Sequence, residues 1–273
     1  MSKAPTNAAA KIKVPDIRAR KGGTPIVAIV GYTAPIAKIV NDIVDFILVG
    51  DSVGMTVYGA STTVGVTMDT MIEHGKAVVG SAPRPCIVVD MPFGSYEANR
   101  EKAFDNAARI MAETGCDAIK LEGGQVLAET IAFLVDRGIP VVAHIGLQPQ
   151  RVNTTGGFKT QGRNDEAAQA IIADARAVAD AGAFAVVVEA IPESLATRIT
   201  QAIDVPTIGI GASRDCDGQI LLIDDLIGLF RDFTPRFVKK YANVADIIEQ
   251  AVTEFARETV ERTFPGKENV FKG

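Results

Sequence analysis

Five short apolar segments of this chain each end on an acidic or imidazole side chain, and this pattern strongly constrains the fold. The segments are β-branched and almost uninterrupted, which is typical of strands buried on both faces of a parallel sheet. The end residues are Asp51, Asp90, Glu122, His144 and Glu189. Because the carboxyl ends of parallel strands meet at one edge, we expect these side chains to converge on one polar site.

The spacers between the apolar segments have helical periodicity, so the chain reads as repeated strand–helix units. Seven strands are predicted at Ile26–Val30, Phe46–Gly50, Cys86–Asp90, Ala118–Glu122, Val141–His144, Ala185–Glu189 and Thr207–Ile210. An eighth is predicted near Ile227–Phe230. Eight such units predict an α/β fold, a closed (β/α)8 TIM barrel. The alternative is an open doubly wound sheet, which usually has a glycine-rich phosphate loop that this chain lacks after its first strand.

The length of 273 residues fits a single barrel domain, which we place at residues 24–273. Residues 1–23 are rich in lysine and arginine and are predicted to form a mobile N-terminal arm, with a transit peptide as the alternative. An extra C-terminal amphipathic helix is predicted from Val244 to Thr263, beyond the barrel.

Composition excludes several classes of partner. The net charge is −5 and there is no long basic block, which argues against nucleic acid as a partner. No apolar run is long enough to cross a bilayer. The three cysteines, Cys86, Cys116 and Cys216, are odd in number and widely spaced. This usage suits a reducing compartment, so we expect a cytoplasmic protein.

Asp51, Asp90 and Glu122 end the second, third and fourth predicted strands. Adjacent strands lie about 5 Å apart, and carboxylates that close repel one another unless a cation or shared protons neutralise them. Oxygen ligands suit a hard dication such as Mg²⁺. Three separate carboxylates paired with basic loop residues would explain the spacing equally well.

Lys120, His144 and Glu189 are further candidates at the same edge. Lys120 shares a strand face with Glu122, so either a substrate carboxylate or the acid cluster would pair it. His144 is a candidate site residue or a hydrogen-bonded core residue. Glu189 can serve as a base in an apolar mouth, or it can pair with a loop.

Two loops complete the candidate site. Ser52 follows Asp51 in a glycine-containing turn whose backbone N–H groups can approach an anion. The loop from Ile145 to Arg163 carries four glycines that suit the hinges of a lid, although a solvated loop has the same composition.

Several motifs resemble those of the ketopantoate hydroxymethyltransferase family, in the same order and over nearly the whole chain. They begin at Val49 (VGDSVGMTVYG), Asp90 (DMPFGSY), Lys120 (KLEGG), His144 (HIGLQPQ), Gly156 (GGFKTQGR), Gly209 (GIGA) and Cys216 (CDGQIL). The chain departs from the family pattern at Thr33, Gly65 and Glu73, none of which is a candidate site residue.

The resemblance implies a barrel of the phosphoenolpyruvate/pyruvate superfamily and a one-carbon transferase activity. The reaction would move a hydroxymethyl group from the co-substrate 5,10-methylenetetrahydrofolate to 3-methyl-2-oxobutanoate, giving 2-dehydropantoate (ketopantoate) on the route to pantothenate and coenzyme A. It also implies one Mg²⁺ per subunit and a homo-oligomer, with a decamer as the assembly to test.

The resemblance also assigns roles to individual positions. Asp51 and Asp90 match the Mg²⁺ ligands, and Glu122 matches a third group at the metal, acting directly or through water. Ser52, Lys120 and His144 match residues that contact the oxo acid. Asp51 and Asp90 also match residues of this substrate-binding set. Glu189 matches the catalytic proton acceptor.

Two other functions compete with this one. A carbon–carbon lyase of the isocitrate lyase/phosphoenolpyruvate mutase superfamily typically uses a loop cysteine, whereas Cys86 and Cys116 fall in or at predicted strands. A non-catalytic binding barrel would tolerate alanine at Asp51, Asp90, Lys120 and Glu189.

Overall fold

A closed barrel of eight parallel strands in chain order forms the centre of the fold. The computed structural model describes residues 10–231 and 234–271. The strands are β1 (Ile26–Val30), β2 (Phe46–Val49), β3 (Cys86–Asp90), β4 (Ala118–Glu122), β5 (Val141–Gly146), β6 (Ala185–Glu189), β7 (Thr207–Ile210) and β8 (Gly218–Leu222). The predicted TIM barrel is confirmed, and the open sheet is excluded.

Burial on both faces explains why the strands are so apolar. Every residue of β2, β3 and β4 is buried, because side chains pointing inward fill the barrel and those pointing outward pack under helices. The first seven strands lie where they were predicted. The limits differ only in that β2 ends at Val49 and β5 continues to Gly146.

The eighth strand is an exception, and its predicted position near Ile227–Phe230 is wrong. The observed strand β8 begins at Gly218, where a Cβ atom would lie 2.7 Å from the main-chain oxygen of Ile26 in β1. The Ile227–Phe230 segment turns instead at Gly228, which has a φ of +69°. Because β8 contains a glycine and an exposed glutamine, Gln219, it lacks the apolar run that reveals the other strands.

A short helix, α1 (Val14–Arg18), precedes the first strand. The helices between the strands are α2 (Ala34–Val40), α3 (Val53–Thr56), α4 (Met68–Val79), α5 (Arg100–Thr114), α6 (Ala128–Val135), α7 (Val152–Thr155), α8 (Asp165–Asp180) and α9 (Glu193–Ala202). Side-chain caps at Thr67, Asn99 and Asn164 accept hydrogen bonds from the first turns of α4, α5 and α8. These caps fix where the helices begin.

Residues 1–9 of the predicted arm lie outside the described residues, and its described part, residues 10–23, makes specific contacts with the barrel. Ile17 of α1 is buried. Lys21 Nζ lies 3.0 Å from Asp217 Oδ2, and Asp217 also accepts a hydrogen bond from the backbone of Gly22. These contacts attach the segment to the end of the barrel opposite the carboxyl ends of the strands.

Contacts divide the chain into two compact units, one ending at Leu221 and the other beginning at Leu222. The second unit contains α10 (Ile223–Leu226) and α11 (Val244–Glu261), so the predicted C-terminal helix is confirmed. The domain limits at residues 24–273 stay a prediction. Among the described residues, no helix combines the length and apolar character needed to cross a membrane.

Candidate active site

The carboxyl ends of β2 to β6 bring together six of the seven predicted site residues. The strand register places Asp90 beside Lys120 and Glu122 beside His144. It also places Glu189 beside Gly146, two residues beyond His144 on β5. Ion-pair distances of 3.0–3.9 Å link the charged side chains of this row. The sequence-predicted convergence is therefore present at one edge of the barrel.

Lys120 is the buried cation of the site. It is 3% exposed, and its Nζ lies 3.1 Å from Asp90 Oδ1 and 3.9 Å from Glu122 Oε1. Burial lowers the pKa of Lys120, but the charges of Asp90 and Glu122 outweigh it and raise the pKa above the usual value. Lys120 therefore keeps its positive charge at neutral pH.

His144 lies between two glutamates. Its Nδ1 is 3.4 Å from Glu122 Oε1 and its Nε2 is 3.0 Å from Glu189 Oε2. The Nε2 contact is short enough for an ion pair but is not aligned as a hydrogen bond. Burial and Lys120 lower the pKa of His144, but the two glutamates prevail and raise it to about 9. This pKa favours the protonated ring at neutral pH, although Lys120 Nζ lies only 3.3 Å from the same Nδ1.

The carboxylates of the site differ in their protonation. Burial, followed by the charges of Asp90 and Glu122, raises the pKa of Asp51 to about 8. Burial also raises the pKa of Asp90, against the opposing effect of Lys120. Burial of Glu122 acts in the same direction, but His144 and Lys120 outweigh it and lower the Glu122 pKa. The Asp51–Asp90 pair thus shares the cation Lys120 between two buried carboxyl groups.

Asp51 and Asp90 are suited to a divalent cation. Asp90 Oδ2 accepts a hydrogen bond of 2.9 Å from the backbone N–H of Asp51, and Asp90 Oδ1 is paired with Lys120 Nζ at 3.1 Å. Mg²⁺ binds through one or two carboxylates and keeps several waters. Within the described ranges, no three acidic, histidine or cysteine side chains are arranged to hold a metal ion together. The donor set therefore fits a two-carboxylate Mg²⁺ site.

Ser52 lies at the edge of the site and is oriented by Tyr32. The two hydroxyl groups are 2.7 Å apart, and Tyr32 is buried. The backbone oxygen of Tyr32 lies 2.7 Å from Nδ1 of His74. His74, the second histidine, therefore supports the segment that carries Tyr32.

Two residues of the site, Gln150 and Tyr96, were not recognised from the sequence. Gln150 Nε2 donates a 2.8 Å hydrogen bond to Asp51 Oδ2, and the Tyr96 hydroxyl is 2.5 Å from Gln150 Oε1. Both residues are buried. The signal was present, because each is the last residue of a quoted motif, HIGLQPQ or DMPFGSY, but neither ends a strand.

Comparisons with known proteins identify the family of this chain. The ketopantoate hydroxymethyltransferase family profile matches residues 11–267. The 3-methyl-2-oxobutanoate hydroxymethyltransferase of Paramagnetospirillum magneticum is 60% identical over 261 residues, covering 96% of this chain and 95% of the relative. The enzyme of the same name from Paracoccus denitrificans is 60% identical over 256 residues, covering 94% and 93%.

Solved structures show the same fold at low sequence identity. A phosphonopyruvate hydrolase has a TM-score of 0.61 and 16% identity, covering 96% of this chain and 92% of that chain. A 2,3-dimethylmalate lyase, described as a PEP mutase/isocitrate lyase superfamily member, has a TM-score of 0.61 and 15% identity, covering 95% and 89%. The sequence matches over nearly the full length are far closer, and the chain therefore belongs to the ketopantoate hydroxymethyltransferase family.

Proposed function

We propose that this protein transfers a hydroxymethyl group from 5,10-methylenetetrahydrofolate to 3-methyl-2-oxobutanoate. The products are 2-dehydropantoate and tetrahydrofolate, on the route to pantothenate and coenzyme A. The observation that carries this proposal is the family match over residues 11–267, which includes the whole set of acidic and basic side chains at the barrel mouth.

In this proposal Asp51 and Asp90 hold one Mg²⁺, and Glu122 acts on it through water. The raised pKa values of Asp51 and Asp90 and the burial of both carboxyl groups support this assignment, because a neighbouring dication favours their ionised forms. Glu122 has other contacts, because its Oε2 accepts a hydrogen bond from the backbone of Gln150. Mg²⁺ at this position supplies a Lewis acid that polarises the keto group of the oxo acid.

Lys120, His144 and Ser52 bind and orient the oxo acid. Lys120 and protonated His144 are cations that offset the charge of the substrate carboxylate, and burial strengthens this attraction because the surroundings exclude water. The Ser52 hydroxyl, held by Tyr32, adds a hydrogen bond at the edge.

Glu189 accepts the proton from C3 of the oxo acid. The C3–H bond breaks, the proton passes to the Glu189 carboxylate, and the electron pair left on C3 forms the bond to the folate methylene carbon as the first of its two C–N bonds breaks. The released nitrogen takes up the proton that Glu189 accepted. Water then attacks the same carbon and supplies the hydroxyl group as the second C–N bond breaks, and the other proton of water passes to that nitrogen, which completes tetrahydrofolate. The contact of 3.0 Å with His144 supports this role, because a neighbouring imidazolium holds the Glu189 carboxylate in place.

Exchange of the C3 proton in D₂O, followed by NMR, tests the proposal with and without the folate donor. We expect wild-type protein with Mg²⁺ to exchange this proton and to form ketopantoate only when methylenetetrahydrofolate is present. Glu189→Gln should lower the exchange rate by about 10²- to 10⁴-fold, the usual contribution of a positioned base. Asp90→Asn should require more Mg²⁺.

Glu193→Gln is the matched control, because it makes the same change four residues later on an exposed side chain. It should exchange at the wild-type rate. Absence of ketopantoate at saturating folate donor and Mg²⁺ would refute the proposed function.

The lyase alternative has little support in this chain. The described cysteines, Cys86, Cys116 and Cys216, are all buried, and burial raises the pKa of the Cys116 thiol to about 11. A catalytic cysteine needs the opposite environment. Cleavage of a 2-hydroxy acid in the absence of folate would revive this alternative.

The assembly and location are part of the same proposal. We expect a cytoplasmic homo-oligomer, with a decamer as the expected number of subunits. Helix α11 supports association because it is amphipathic and its apolar side chains Ile247, Val252, Phe255 and Val260 are exposed. Light scattering of the purified protein measures the mass, and a monomer at micromolar concentration would contradict the expectation.

A further inference from the structure

Gln150 connects three strand ends through one side chain and its own backbone. It lies in a 3₁₀ turn, Pro149–Arg151, just after β5, and it is 4% exposed. Its Nε2 donates to Asp51 Oδ2 at 2.8 Å and to the main-chain oxygen of Met91 at 3.0 Å. Its backbone N–H donates to Glu122 Oε2 at 3.0 Å. Gln150 therefore contacts the residues that follow β2 and β3 and the last residue of β4.

Tyr96 determines which way the Gln150 amide faces. The Tyr96 hydroxyl accepts a hydrogen bond from the backbone N–H of Glu122 at 3.1 Å. Its single proton is then donated to Gln150 Oε1, at 2.5 Å, rather than to the more distant main-chain oxygen of Glu122, at 3.3 Å. Because the amide oxygen faces Tyr96, the NH₂ group must face Asp51.

Every polar atom of the Gln150 amide has a hydrogen-bond partner in this arrangement. Only glutamine supplies this combination of one acceptor and two donors. One acceptor faces Tyr96, and two donors face Asp51 and Met91. A carboxylate here would meet Asp51 with like charge, and an apolar side chain would leave Asp51 Oδ2 and the Tyr96 hydroxyl without this partner.

These hydrogen bonds restrict both carboxylates of the Asp51–Asp90 pair. One oxygen of Asp51 is held by Gln150, and one oxygen of Asp90 is held by the backbone N–H of Asp51. Each carboxylate is therefore restricted in its rotation by a hydrogen bond to one oxygen. Groups that orient ligands in this way typically change metal affinity by about 10- to 100-fold.

We infer that Gln150, oriented by Tyr96, is a positioning residue that sets the affinity of the Asp51–Asp90 pair for a divalent cation. This inference rests on the proposed function, in which Asp51 and Asp90 are the metal ligands.

Binding of Mn²⁺ to the substrate-free protein, followed by electron paramagnetic resonance, tests the inference without any activity measurement. We expect Gln150→Met to raise the Mn²⁺ dissociation constant by about 10- to 100-fold. Tyr96→Phe should raise it by a smaller factor, because the amide stays but loses its orienting partner. Gln169→Met, at an exposed position on α8, is the matched control and should bind as wild type does.

The variants separate a positioning role from a merely structural one. A structural role predicts a lower urea midpoint for Gln150→Met with an unchanged Mn²⁺ dissociation constant, and that result would overturn the inference. If Gln150→Met does not fold, Tyr96→Phe alone decides, since its unchanged affinity would also overturn it.

Asp51→Asn distinguishes this failure from failure of the proposed function. Weaker Mn²⁺ binding in Asp51→Asn with normal binding in Gln150→Met and Tyr96→Phe would refute the positioning role alone. Wild-type affinity in Asp51→Asn would refute the metal assignment itself, and the inference with it.

Discussion

Gly146, the last residue of β5, allows the closest approach between the strand that carries His144 and the strand that carries Glu189. Its φ is +88°, in the region that favours glycine. A Cβ atom at this position would lie 2.4 Å from the main-chain oxygen of Glu189, whereas side-chain carbons essentially never approach closer than 3.0 Å. Gly146→Ala must therefore separate the two strand ends by at least about 0.6 Å, the difference between these distances.

Two costs follow from this geometry. Alanine with a positive φ costs about 1–2 kcal/mol of folding free energy. Displacement of the Glu189 backbone also moves its carboxylate relative to the substrate. Because a misplacement of about 1 Å costs about 100-fold in rate, we expect the kcat/KM of Gly146→Ala to fall about 10- to 100-fold.

Gly138 provides a matched control. Its φ is +85°, almost the same, but a Cβ atom there meets nothing within 4 Å. It precedes β5, at the opposite end of the barrel from the site. Gly138→Ala should therefore lose the same 1–2 kcal/mol or so in urea unfolding and keep its activity.

Rates of ketopantoate formation and urea midpoints, measured for both variants, test the argument. Equal kcat/KM values in Gly146→Ala and Gly138→Ala would refute it, because the proposed cause is the contact with Glu189 and not the backbone conformation. A large loss of activity in Gly138→Ala would refute it as well.

Two further predictions concern stability. The metal-free protein should lose thermal stability as the pH rises from about 6, where acids whose pKa is lowered by folding, such as Glu122, are already ionised in both states, to about 9. Folded Asp51 keeps a proton up to about pH 8 that the unfolded chain releases near its usual pKa of 3.8, and folded His144 keeps one up to about pH 9 rather than 6.5. Melting temperatures of chelator-treated protein that increase over this interval would contradict both assignments. Asp217→Ala should cost about 2–5 kcal/mol in urea unfolding, because Asp217 binds Lys21, Gly22 and both the N–H and hydroxyl of Thr207. Its kcat should not change, since these contacts lie far from the barrel mouth; a fall in kcat without a fall in stability would show a different role.

The sequence by itself determined the barrel and the row of residues at its mouth. Successive parallel strands are neighbours, so a run of apolar segments that end on Asp51, Asp90 and Glu122 predicts three adjacent carboxylates. The hydrophobic period and the apolar runs of the strands are local properties of the sequence, which is why seven strands were placed correctly. The roles of the site residues came from the family motifs and stay predictions.

The tertiary structure alone decided the remaining features. β8 can be recognised only from its contact with β1 in the folded barrel. Closure of the barrel, and not local hydrophobicity, determines which segment forms this strand. Gln150 and Tyr96 join the site because the loops after β5 and β3 bring them to the strand ends, where they contact each other, and no periodicity encodes those paths. The charge of His144 depends on two glutamates that lie 22 residues before it and 45 residues after it. Such pairwise electrostatic effects fall off with distance in space rather than along the chain, so only the folded structure shows them.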